Sequence, residues 1–119
     1  LFLHYTGLKN SDVRAQAVIG DNQQGIKTVA GNPGAIGYVS IGTAGFEVRN
    51  GTPIKLLPMA GVAATTETVR SGRFPLSRPL NLATRGTPSP LAQRFIDFAQ
   101  SAAVNDLIEA QYFVPPQRR

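Results

Sequence analysis

Glycine and proline divide this chain into short segments, and that division restricts it to a fold of many brief elements. The 119 residues include 12 Gly and 9 Pro. They gather in groups that read as turns: Gly20-Asp21-Asn22, Gly31-Asn32-Pro33-Gly34, Asn50-Gly51 and Ser71-Gly72. Residues 1–8 read as the tail of a helix, with Phe2, Leu3 and Tyr5 sharing one side and Gly7 just past the C-cap. A helix opening at the first residue lacks an N-cap and first turn, so the chain is expected to be a trailing piece of a longer one. Residues 15–19 suggest a short strand, and Asp21 or Asn22 caps a helix running through Val29. Residues 35–41, apolar and β-rich around Gly37, read as a buried strand closely approached by another backbone. An outer strand is expected over 52–57. A short helix follows, opened by Thr65 or Thr66, running through Val69 and closed by Ser71-Gly72. Residues 80–84 alternate like a strand.

The last quarter is helical. Ser89-Pro90 supplies an N-cap and an N1 proline. Leu91, Phe95, Phe98 and Ala102 then recur at i, i+4, i+7 and i+11, an amphipathic face. A second helix through Val104, Leu107, Ile108 and Gln111 leads to an extended tail at 112–116. Alternation of short strands and helices predicts an α/β fold, a mixed sheet flanked by helices with a helical C-terminal segment.

Composition excludes several kinds of chemistry. With no Cys, thiolate metal sites, disulfides and Cys nucleophiles are ruled out. The single His leaves His4 as the one imidazole, and its neighbours Phe2, Leu3 and Tyr5 favour a half-buried packing role over a catalytic triad. The seven acids are scattered, Asp97, Asp106 and Glu109 lying on outer helix faces, so neither a carboxylate pair nor a metal cluster is expected. No catalytic residues, metal or cofactor are therefore assigned, and no enzyme is expected. The hydrophobic share of 42% supports a real core, and no apolar run is long enough to span a bilayer.

The net charge of +5 favours anionic partners. Nine of the twelve cations are Arg, the side chain best suited to bidentate contact with phosphate or carboxylate. Arg70, Arg73, Arg78, Arg85 and Arg94 fall in one stretch, and Arg118 and Arg119 end the chain. The basic runs are too sparse, and too little interleaved with aromatics, to favour a nucleic-acid module, which stays as a minor alternative. The Gly-rich segment 31–37 precedes a predicted strand instead of following one, so it is not a phosphate loop of the dinucleotide or nucleotide type. Because ligands of open α/β sheets gather at the carboxyl ends of strands, Tyr38 and Ser40, each offering a hydroxyl, are the candidate cleft residues.

Two segments in order, Asn32-Pro33-Gly34-Ala35-Ile36-Gly37-Tyr38-Val39 and Phe74-Pro75-Leu76-Ser77-Arg78-Pro79-Leu80, resemble the C-terminal half of periplasmic phosphate-binding proteins of ABC transporters. Ala92-Gln93-Arg94-Phe95-Ile96-Asp97-Phe98 and Gln111-Tyr112-Phe113-Val114-Pro115 resemble that family's closing segments. The resemblance implies a type II periplasmic-binding-protein fold of two lobes hinged around an oxyanion. It implies capture of inorganic phosphate for a membrane permease, outside the cytoplasm, without catalysis. It further implies that residues 1–75 are second-lobe material, 76–84 an interlobe crossover strand, and 85–119 helices that pack on a first lobe. The family's Ser-Gly-Thr-type anion turn would lie upstream of Leu1, so none of its ligand residues carries over. Helices 85–119 taken alone are expected to expose apolar faces and self-associate. Sulfate, molybdate or tungstate is the alternative cargo.

Overall fold

A computed structural model describes residues 1–116, and Gln117 and the predicted basic end Arg118-Arg119 lie outside the described residues. The chain forms two compact units, Leu1–Ser77 and Arg78–Arg119.

In the first unit the helices start where side-chain chemistry can cap them. α1 (Phe2–Thr6) ends at Gly7, whose φ of 71° lets the chain reverse so that the Leu8 N–H reaches the Leu3 carbonyl at 3.1 Å. A short 3-10 turn follows at Asn10–Asp12. α2 (Asn22–Ala30) is capped by Asp21, whose carboxylate accepts the Gln24 N–H at 2.8 Å. α3 (Ile41–Arg49) follows, and then α4 (Thr66–Arg70), capped by Thr65. α2 packs on α3, and α3 on α4. The interior consists of Gly25 and Ile26 from α2, Gly42, Thr43 and Ala44 from α3, Thr68 from α4, and Phe74 beyond it. Thr68 is buried without an orphaned polar atom: its Oγ1 donates to the Ala63 carbonyl at 2.6 Å and accepts the Thr65 N–H at 3.2 Å.

α3 is the helix missing from the sequence expectation, which assigned 35–41 to a strand and nothing regular to the residues after it. Gly42 and Gly45 each lower helix propensity by about 1 kcal/mol, and the Ser40 side chain makes no capping bond. Burial of three consecutive small residues against neighbouring helices supplies what local preference lacks.

The expected mixed sheet is not formed among the described residues. Segments 15–19, 35–40, 52–57 and 80–84 belong neither to helix nor to strand, and the one β-bridge joins Met59 to Val62 across a two-residue turn. β-branched and alternating runs report compatibility with a half-buried pleated surface, but a strand exists only where a neighbour completes its ladder. Here the Gly20 and Ser40 N–H groups bond side chains of α2, Gln24 and Asn22. Val18 at 92% exposed and Ile36 at 80% confirm that these runs are uncovered. His4, expected to be half-buried, is exposed on α1. Gly37 is indeed closely approached, but by the Val29 side chain of α2 and not by another strand: an added Cβ would lie 3.0 Å from Val29 Cγ2.

In the second unit α5 (Pro90–Ala99) begins as expected, with Ser89 Oγ accepting the Ala92 N–H at 3.2 Å. A 3-10 turn (Ala102–Val104) and α6 (Asn105–Ala110) follow and pack on one another, with Val104 buried. The face of α5 turned inward differs from the expected one. Ala92, Ile96 and Ala99 are half-buried, whereas Leu91, Phe95 and Phe98 are exposed, and Ala102 falls beyond the helix.

Solvent reaches 9313 Å² of the chain. Two separate globules of these lengths would expose roughly 7,500 Å². The chain therefore leaves uncovered much surface that self-contained domains would bury.

Candidate functional site

Gly20-Asp21-Asn22 does more than begin α2. Asp21 caps the helix, the Gln24 side chain reaches back to accept the Gly20 N–H at 2.8 Å, and the reciprocal pair fixes the turn. Asn22, at the first position of α2, then accepts the Ser40 N–H on its Oδ1 at 3.0 Å. Ser40 is the N-cap residue of α3. One side-chain bond therefore joins the amino ends of two helices.

Segment 35–40 is held along α2 by close contact. Gly25 gives Val39 and Ile19 their room: a Cβ there would sit 2.9 Å from Val39 Cγ1 and 3.4 Å from Ile19 Cγ2. Tyr38 turns outward, 57% exposed, with its ring 4.9 Å from that of Phe2 on α1. Between these pieces lies an open depression of about 380 Å³ lined by Ile19, Gly20, Asp21, Asn22, Tyr38 and Val39. Of the two predicted cleft residues, Tyr38 lines it, while Ser40 sits at its margin through the bond to Asn22. Sequence reasoning read Asp21 and Asn22 only as helix caps. The Gly-Asp-Asn turn was the available signal, but the bridge to Ser40 crosses 18 positions and has no local signature.

Electrostatically the depression is mixed. Amino ends of helices favour negative charge. On α2 that end is already answered by the Asp21 carboxylate. On α3 it is not, because Ser40 makes no side-chain cap. Asp21 is the one charged residue in the lining, so this surface offers main-chain and hydroxyl donors without a cation beside them. Among the described residues no group of three or more His, Asp or Glu comes together as a metal site. No helix among them is long and apolar enough to cross a membrane. The predicted arginines are dispersed: Arg70 pairs with Glu67 at 3.5 Å and Arg73 donates to Ser71 Oγ at 3.1 Å in the first unit, while Arg78, Arg85 and Arg94 belong to the second.

Glu47, on the far end of α3, braces the same pair of helices. Its carboxylate accepts the Thr52 hydroxyl at 2.7 Å and the Gln23 side-chain amide at 3.0 Å. These bonds, Thr52 foremost and Gln23 next, with Lys27 adding its charge, hold the carboxyl below its ordinary value of 4.5 against a smaller opposing effect of desolvation.

Comparison with known proteins adds a lineage. Residues 3–103 match the family model described as a PBP superfamily domain. The chain is 35% identical over 99 residues to the phosphate-binding protein PstS 2 of Streptococcus pneumoniae serotype 4, covering 82% of this chain and 32% of that protein. It is 32% identical over 91 residues to PstS 2 of Streptococcus agalactiae serotype V, covering 76% and 29%. Against the phosphate-binding protein PstS of Borreliella burgdorferi it is 28% identical over 98 residues, covering 82% and 34%. The chain thus spans about a third of the length of these curated relatives. No solved structure matches it. The resemblance read from the Asn32–Val39 and Phe74–Leu80 segments is met by relatives that carry the phosphate-binding name, and the chain belongs to the PBP superfamily domain family.

Proposed function

We propose that this chain is part of an extracytoplasmic solute-binding protein that captures inorganic phosphate and passes it to an ABC permease, binding the ion without chemistry. The observation carrying this reading is the 35% identity to a phosphate-binding protein across 82% of the chain. The geometry supports it in kind. An oxyanion site is built from helix amino ends and hydroxyl donors, and the α2–α3 junction brings such groups together beside Tyr38 and Ser40. The uncapped amino end of α3 and the two hydroxyls form one wall of a cleft. Cationic and further hydroxyl contacts come from the two thirds of the relatives' length that this chain does not match. In the same assembly segments 35–40 and 52–57 become strands once neighbours complete their ladders, giving the mixed sheet of a type II periplasmic-binding fold.

Isothermal titration calorimetry tests the reading directly, using the 119-residue chain and a full-length protein containing it. The full-length protein should bind phosphate at least about a hundredfold more tightly than sulfate, molybdate or tungstate. The 119 residues alone should bind phosphate at best in the millimolar range. Preference of the full-length protein for another of these anions would reject phosphate as the cargo.

A further inference from the structure

α3 ends in a Schellman turn built around Asn50-Gly51. The Gly51 N–H donates to the Val48 carbonyl at 3.1 Å and the Thr52 N–H to the Glu47 carbonyl at 3.0 Å, with Gly51 left-handed at φ 86°. The Asn50 side chain closes the same turn, its Nδ2 donating to the Phe46 carbonyl at 3.0 Å. The Thr52 hydroxyl then fastens the departing chain to α3 through its 2.7 Å bond to Glu47. Asn50 and Gly51 are both exposed. Of the six asparagines in the chain, only Asn50 precedes a glycine.

We propose that Asn50 is a site of spontaneous deamidation, gated by the last turn of α3. The glycine that the turn needs is also what exposes Asn50 to the reaction, since no Cβ shields its nitrogen from the preceding side chain. The Gly51 nitrogen attacks Asn50 Cγ, a C–N bond forms, the Cγ–Nδ2 bond breaks, and the Gly51 proton leaves on ammonia. Water then opens one of the two imide C–N bonds and leaves aspartate or isoaspartate at position 50.

The folded turn holds this back. Closing the imide ring requires the Asn50 Cβ to eclipse the Gly51 nitrogen about the Cα–C bond. At ψ 8° the Asn50 nitrogen takes that place, so the reacting atoms cannot meet. The attacking nitrogen and the departing amide are each tied to a carbonyl of α3 besides. Reaction therefore waits for the turn to open. Its product keeps the turn open. A carboxylate replaces the donor to Phe46 at the negative end of the helix dipole, and isoaspartate adds a main-chain carbon between α3 and Thr52. This inference is independent of the anion the parent protein carries.

Peptide mass mapping of the 119-residue chain, incubated in mildly alkaline buffer with and without guanidinium chloride, tests it. Asn50 should convert before any other asparagine, and about tenfold faster in denaturant than in the folded chain. Thr52→Val, which removes the hydroxyl bond to Glu47, should speed conversion of the folded chain about threefold and leave the rate in denaturant unchanged. Gly51→Ala should slow conversion about tenfold in denaturant, where its strain in the fold plays no part. Earlier conversion of another asparagine, or a Gly51→Ala chain as fast as the parent in denaturant, would overturn the site. Equal rates with and without denaturant, or no acceleration by Thr52→Val, would overturn its gating by α3.

Discussion

Asn22 Oδ1 accepts the main-chain N–H of Ser40 at 3.0 Å, and this one bond ties the first residue of α2 to the N-cap of α3. Its removal leaves a main-chain donor without its partner and loosens the wall on which Tyr38 stands. Asn22→Ala should lower stability by about 1 kcal/mol, read as a lower urea midpoint at unchanged slope. Asn22→Asp keeps the acceptor and should lose less.

Gly25 is the contact point between α2 and the segment that carries Tyr38. A methyl group there would meet Val39 Cγ1 at 2.9 Å. Alanine would raise helix propensity by about 1 kcal/mol, but the overlap costs about 1–3 kcal/mol. Gly25→Ala should therefore be neutral to destabilising, against the usual gain. The decisive measurement is a double-mutant cycle with Val39→Ala, in which the two substitutions together should cost about 1 kcal/mol less than their sum.

The Met59–Val62 turn holds Ala60 at φ 49° and Gly61 at φ 75°, the left-handed pair of a type I′ turn. Alanine is strained there, whereas asparagine tolerates that region. Ala60→Asn should stabilise the chain by about 0.5–1 kcal/mol, seen as a higher thermal midpoint.

Glu47 contributes an acid dependence whose sign follows from its bonds. Its carboxyl is held below 4.5 by Thr52 and Gln23. The folded state therefore binds its proton less readily than the unfolded chain. The stabilisation is fully present above the ordinary glutamate value and is lost as pH falls below 4.5 through the lowered folded value. Urea midpoints at about pH 6 and about pH 3 should differ less for Glu47→Gln than for the parent chain.

Where an element's start is written in side-chain chemistry, the sequence revealed it. Asp21, Thr65 and Ser89-Pro90 mark three helices within a residue of their observed starts, and Gly7 marks an end. α3 carries no such mark. Ser40 does not cap it, two glycines dilute it, and its support is packing that no local window contains. The strands failed for the complementary reason. Residues 35–40 have the composition of a strand, but pairing is decided by what lies alongside, and here a helix side chain does. Tyr38 is picked out for an expected place at the carboxyl end of a strand that is not formed, and it lines the depression through the α2 contacts instead. The partnership of Asn22 with Ser40 could not be read from the sequence, because it depends on how two helices meet. On α5 the 3.6-residue period picks out Leu91, Phe95 and Phe98, whereas the unit turns Ala92, Ile96 and Ala99 inward.

The unusually large solvent-facing area has a thermodynamic counterpart. Denaturant slope and unfolding heat capacity both scale with the surface that unfolding newly exposes. A chain that already shows so much of its surface changes little on melting. Its urea transition should be shallower, and its heat-capacity step smaller, than the roughly 1.4–1.8 kcal/mol/K ordinary for this length. Sharp, cooperative unfolding should then be a property these residues acquire only when something covers them.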